Sequence, residues 1–79
     1  MKLLARNLAR SSTEQDIRQL FSAYGTVTAC DLVLDQVTGQ SKGFAFVEMP
    51  DDQEAKAAIA GLHETNVAKS KIRVKIAQS

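Results

Sequence analysis

Apolar positions along this chain follow two rhythms, one of period two and one of three to four. Residues 2–6 read as a short strand. Ile17, Leu20, Phe21 and Tyr24 then recur at i, i+3, i+4 and i+7, the stripe of a helix with one buried side. Ser11-Ser12-Thr13 precede that stripe, with Ser12 and Gln15 at capping-box spacing, and Gly25 stands where a helix would take a left-handed terminator. Residues 26–34 are rich in β-formers, with Val27, Cys30, Leu32 and Leu34 as inward positions. The three-residue step from Val27 to Cys30 implies a bulge or a late strand start. Asp35 to Ser41, containing Thr38-Gly39, reads as a hairpin loop into a strand over 43–49 that Pro50 ends. Asp51 or Asp52 caps a second helix carrying Ala55, Ala58, Ile59 and Leu62 at helical spacing. Residues 71–76 alternate Lys-Ile-Arg-Val-Lys-Ile, a half-buried strand with its basic side outward.

The predicted order is βαββαβ, an α+β, ferredoxin-like sandwich with two helices on one face of a four-stranded antiparallel sheet. Helices with a single apolar stripe cover only one face, so the other is left to solvent or a ligand. In this layout the first and third strands lie centrally, the fourth flanks the first and the second flanks the third. Successive strand side chains point to opposite faces. Ala45, Val47 and Met49 therefore point to the core, and Phe44, Phe46 and Glu48 point away from it. The open face thus carries two aromatic rings about 7 Å apart, the spacing of neighbouring residues on one face of a strand. Each ring has roughly 150–250 Å² of surface that is costly to leave wet. That spacing suits two successive bases of one nucleic-acid strand. A register shifted by one would bury the rings, but it would bury Glu48 with them and expose Val47.

Composition narrows the function classes. Seventy-nine residues, 44% of them apolar and 24% charged, suit a single domain over residues 1–79 with one modest core. The chain has no apolar run long enough to span a bilayer, and Arg6 and Arg10 follow the first residues too closely for a signal peptide. A lone Cys30 reads as a small buried hydrophobe and suits a reducing, cytoplasmic setting. With one histidine, His63, read as a solvated helix-end residue, there is little material for a metal site or for His-based catalysis. No Ser/His/Asp, Cys/His or paired-carboxylate arrangement is in view, and Gly39 to Gly43 is not a phosphate-cradling loop. We expect no enzyme, cofactor or metal. Net charge is only +1, yet it is sorted: Lys2, Arg6, Arg10, Lys69, Lys71, Arg73 and Lys75 crowd the two ends, and acids fill the middle. The fold brings those ends together, setting Arg6 beside Arg73 and Lys75.

Lys42-Gly43-Phe44-Ala45-Phe46-Val47-Glu48-Met49 resembles the RNP octamer of the RNA recognition motif family, and only Met49 departs from it. Leu3-Leu4-Ala5-Arg6-Asn7-Leu8 is similar to the family's RNP hexamer. Leu20-Phe21 through Tyr24-Gly25 and Asp35-x-x-Thr38-Gly39 are similar to further family signatures, so the likeness covers essentially the full length. The compact layout is similar to small single-domain bacterial members. The resemblance implies that Phe44 and Phe46 contact bases or sugars and that Lys42 contacts a phosphate. It also places Leu4 where an aromatic ring usually stacks a base, and Lys69-Ser70 where the family usually has Gly-Arg. Met49, being inward, affects packing rather than recognition.

The expected function is a non-catalytic, monomeric module for single-stranded RNA, taking single-stranded DNA more weakly and no membrane. Phe44 and Phe46 stack, Leu4 lies between neighbouring contacts, and Lys42, Arg6, Arg73 and Lys75 neutralise phosphates. Residues 76–79 close over a base, and Asp31 and Val33 form a rim that tunes sequence preference. The competing class is a protein-interaction domain using the same sheet face or the acidic helices.

Overall fold

The computed structural model describes residues 1–77. The elements are β1 (Lys2–Arg6), α1 (Glu14–Ser22), β2 (Ala29–Leu34), β3 (Ser41–Glu48), α2 (Asp52–Leu62), β4 (Asn66–Val67), β5 (Ser70–Lys71) and β6 (Arg73–Ile76). Four strands form an antiparallel sheet in the order β2-β3-β1-β6, with β1 and β3 at its centre as the βαββαβ layout predicts. The short β4–β5 hairpin stands apart from it. Alternation holds strictly along β3 and into the next residue: Ala45, Val47 and then Met49 are fully buried, Phe44 and Phe46 are half-buried, and Glu48 is exposed. The inward side chains of the sheet meet Ile17 and Phe21 of α1 and Ala55, Ala58 and Leu62 of α2 in one core. Both helices therefore cover the same face, and the opposite face is open.

Several local features differ from the sequence expectation. The cap of α1 is Thr13, not Ser12. Thr13 is extended, its hydroxyl accepts the Asp16 amide at 3.1 Å, and Asp16 Oδ2 accepts the Thr13 amide at 3.0 Å. Ser12 is instead buried in the turn before the helix, where its amide donates to the Ala9 carbonyl. Of the two candidates for α2, Asp51 is the cap, accepting the Glu54 amide at 3.0 Å. Gly25 does not terminate α1 through a left-handed residue, because the helix already ends at Ala23. A Cβ at Gly25 would collide with the Glu54 side chain, whose Oε1 accepts the Thr26 amide at 3.0 Å. The glycine is thus where the loop presses against α2.

β2 begins late, at Ala29, and Cys30 is its buried anchor. Leu34, expected inward, is 50% exposed because the ladder shifts between Leu32 and Leu34. The basic segment 71–76 is split. Lys71 belongs to the small hairpin, Ile72 is buried between the two pieces, and Arg73–Ile76 joins the main sheet. The turn at Lys69-Ser70 is made with Ala68 and Lys69 at φ 52° and 69°, both left-handed and neither a glycine. The fold forms with Lys69-Ser70 at this turn.

The outer strands each lose one free amide to a helix. The Leu32 N–H donates to Glu14 Oε2 at 3.5 Å, and the Val74 N–H donates to His63 Nδ1 at 3.0 Å. His63, expected to be solvated, therefore links the end of α2 to β6. Burial, reinforced by the Glu14 carboxylate, pushes the Cys30 thiol above its ordinary value, consistent with a packing role.

Candidate nucleic-acid interface

The open face is built from the outward residues of β1, β2, β3 and β6, and the register sets who is beside whom. Asp31, Phe46, Leu4 and Lys75 form one row across all four strands. In the next row toward the hairpin end, Arg6 lies opposite Arg73. At the other end of the face Lys2 pairs with Glu48, which pairs with Ala29. Cross-strand partners on one face are neighbours about 5 Å apart at Cβ, so each row is a set of contacts.

Phe44 and Phe46 lie side by side with ring centroids 6.1 Å apart and planes at 90°. The spacing is a little shorter than a flat strand would set, because the rings meet edge to face. Only one ring can then lie parallel to a given flat group. Lys2, which sequence reasoning counted among the terminal charges but did not place on the face, sits with Nζ 4.9 Å from the Phe46 centroid. An exposed contact of this kind is worth about 0.5–1 kcal/mol.

A second feature grows from a bulge. Between Leu32↔Ala45 and Leu34↔Ser41, two steps of β2 face four of β3. Gly43 takes φ 85° there, donating its amide to Ser41 Oγ at 3.0 Å and accepting the Leu8 amide at 2.8 Å. A Cβ at Gly43 would stand 3.3 Å from the Leu8 carbonyl oxygen, so both the backbone angle and the close approach call for glycine. Asn7, at φ 59°, turns the chain out of β1 and donates from Nδ2 to the Lys71 carbonyl at 2.7 Å. These ties bring the chain after β1 against the start of β3.

The result is a cleft of about 610 Å³ whose lining includes Arg6, Arg10, Lys42, Arg73 and the flank of Phe44, with no carboxylate among the lining residues. The structure thus sets Arg6 beside Arg73 as expected, brings Lys42 to them, and adds Arg10, which no element-based reading singled out. Its clue was present: it is one of the three cations of a stretch without acids. Lys75 is not part of the cleft; it lies one row away, beside Leu4. Leu4 is half-buried between Phe46 and Lys75, so the row holds one ring, not two. The residues expected to close over a base end at 77 in the described chain, where the Ala77 amide donates to the Lys2 carbonyl at 2.8 Å; 78 and 79 lie outside the described residues.

Among the described residues no three His, Cys, Asp or Glu side chains gather as a metal ion would require, and no helix is long and apolar enough to cross a membrane.

Comparison with known proteins agrees with this architecture. The family model for the RNA recognition motif matches residues 3–73. Glycine-rich RNA-binding protein 1 of Mycosarcoma maydis is 38% identical over 78 residues, covering 99% of this chain and 45% of the relative. The bacterial protein RbpF of Nostoc sp. is 45% identical over 62 residues, covering 78% of this chain and 59% of the relative. The chain thus spans about half the length of these curated relatives. The crystal structure of RNA-binding protein PG1 superposes with a TM-score of 0.96 at 37% identity, over 100% of this chain and 95% of that one.

Proposed function

The chain belongs to the RNA recognition motif family, and from that membership we propose that it is a non-catalytic module binding a few nucleotides of single-stranded RNA on its open sheet face. One observation carries the reading: two rings on the face opposite the helices adjoin a cleft lined by four cations and no acid. Phe46 stacks a base, Phe44 packs edge-on against the neighbouring sugar or base, and Arg6, Arg10, Lys42 and Arg73 take phosphates. Leu4 and Lys75 complete the contact surface beside Phe46. A stacked base is worth about 1–3 kcal/mol. The Lys2 ammonium over Phe46 is worth less, so a base displaces it from the ring and frees it for a phosphate.

With Leu4 in place of a third ring, the expected affinity is on the order of micromolar or weaker. Salt dependence is shallow, with a slope of about −0.7 per phosphate neutralised. The module acts as a monomer, and single-stranded DNA of the same sequence binds the same face more weakly.

A fluorescence titration of short RNAs against the intact chain and the Phe44→Ala/Phe46→Ala variant tests this. Loss of most binding in the variant supports stacking; unchanged affinity refutes it. The protein-interaction alternative has its own structural footing on the helix side, a groove of about 500 Å³ lined by residues including Leu20, Tyr24, Leu62 and Val67. Amide shift changes confined to that side when a protein partner is added, with none from RNA, would favour it instead.

A further inference from the structure

The row Asp31–Phe46–Leu4–Lys75 contains something a polyanion-binding face should avoid. Asp31 is exposed and is the cross-strand partner of Phe46 on the open face. Near a phosphate chain it repels, and a charge of that sign is useful only if it accepts hydrogen bonds from the ligand. Its counterpart at the far end of the row is Lys75, exposed, outside the cationic cleft and beside Leu4. The row therefore reads acceptor, ring, aliphatic, donor. A carboxylate can only accept and an ammonium can only donate, so the row has a defined polarity across the position where a base would stack.

The four bases answer that polarity differently. Guanine carries two adjacent donors, N1–H and N2–H₂, on its Watson–Crick edge and two adjacent acceptors, O6 and N7, on its Hoogsteen edge. Adenine and cytosine each offer a single amino group with ring-nitrogen or carbonyl acceptors beside it. Uracil sets its one N–H between two carbonyls, which would face the carboxylate unfavourably. Three inter-strand spacings of about 4.8 Å separate Asp31 from Lys75 at Cα, roughly 14 Å in all. A short carboxylate arm, a purine and an extended lysine fill that span.

We propose that this row is a guanine-selective subsite. The base lies over Phe46 and Leu4, the Asp31 carboxylate accepts from N1–H and N2–H₂, and the Lys75 ammonium donates to O6 or N7. The inference rests on the RNA-binding reading above and gives two residues of that surface a task other than phosphate neutralisation. Base-edge contacts of this kind discriminate between bases by about 5- to 150-fold; at an exposed site the low end is expected.

The test is fluorescence anisotropy of the intact chain with four labelled pentanucleotides, UUGUU, UUAUU, UUCUU and UUUUU, at one salt concentration. UUGUU should bind tightest, by about fivefold or more over UUUUU. Asp31→Ala should erase that preference while leaving UUUUU affinity equal or improved. Equal affinities for all four in the wild type, or a preference retained in Asp31→Ala, would overturn the inference. Lys75→Met should also reduce the guanine preference; a uniform loss across all four RNAs would make Lys75 a phosphate contact and overturn its assignment. Both side chains are exposed, and thermal melts of the variants confirm folding. The platform is read separately from UUUUU with Phe44→Ala/Phe46→Ala. Loss there with no guanine preference sinks only the subsite, whereas retained binding sinks the stacking model and the subsite together.

Discussion

Val47 and Phe46 are neighbours in β3, yet they answer to different demands. Val47 has no exposed surface and belongs to the core beneath the helices; Phe46 is half-exposed on the far side of the same strand, beside Asp31 and Leu4. The inner face is uniformly apolar and excludes water. The outer face alternates rings, cations and acids in rows set by register. Size and shape decide what the inner face tolerates; chemistry and spacing decide what the outer one does. The two faces can therefore vary almost independently, because the strand between them transmits register but little packing.

The largest expected break in that division comes from the inner side. Phe21→Ala, at a fully buried ring, should lower stability by about 3–5 kcal/mol, read from urea unfolding. Its RNA affinity, corrected for the folded fraction, should be unchanged. Phe46→Ala is the mirror image. It should weaken RNA binding by about 1–3 kcal/mol, roughly 5- to 150-fold, while moving the urea midpoint far less than Phe21→Ala. A stability loss as large as that of Phe21→Ala would show that the ring is structural after all. Leu4→Phe places a third ring between Phe46 and Lys75, and titration should show tightening of at least about fivefold.

Smaller effects lie off both faces. Lys69→Gly relieves a left-handed non-glycine residue in the β4–β5 turn and should stabilise by about 1 kcal/mol without altering RNA binding. The smallest concerns the β2–β3 loop, where the Thr38 and Val37 amides at 3.0 and 2.8 Å hold the Asp35 carboxyl below its ordinary value. The stability this supplies is fully present above the ordinary carboxylate range and is lost as pH falls through the depressed value. Protection factors at the Val37 and Thr38 amides, corrected for intrinsic exchange at each pH, should fall over that acid window, with those of the core amides falling only later.

Much of this division was legible in the sequence because period two leaves no freedom: placing Ala45 inward places Phe44 and Phe46 outward. Sheet order likewise put Arg6 beside Arg73. What escaped was conformational detail without a compositional mark. Three hydroxyl residues in a row, Ser11, Ser12 and Thr13, offer equivalent caps, and burial of Ser12 decided among them. Ala68 and Lys69 carry no turn signal, yet both adopt left-handed angles. Arg10 joined the cleft through the Gly43 bulge and the Leu8 amide, a long-range tie that no local pattern encodes. Lys75 shares its charge with Arg73, and only the strand register separates their surroundings.

The Glu14 and His63 contacts to the outer strands have a consequence for crowding. A module that gathers on a polyanion is concentrated against copies of itself, with open strand edges facing one another. Edges with free amides invite strand-to-strand growth into aggregates. Here one amide on each border, Leu32 on one side and Val74 on the other, is already engaged by a side chain from a helix. The sheet is thereby less adhesive at each border than an edge with every amide free.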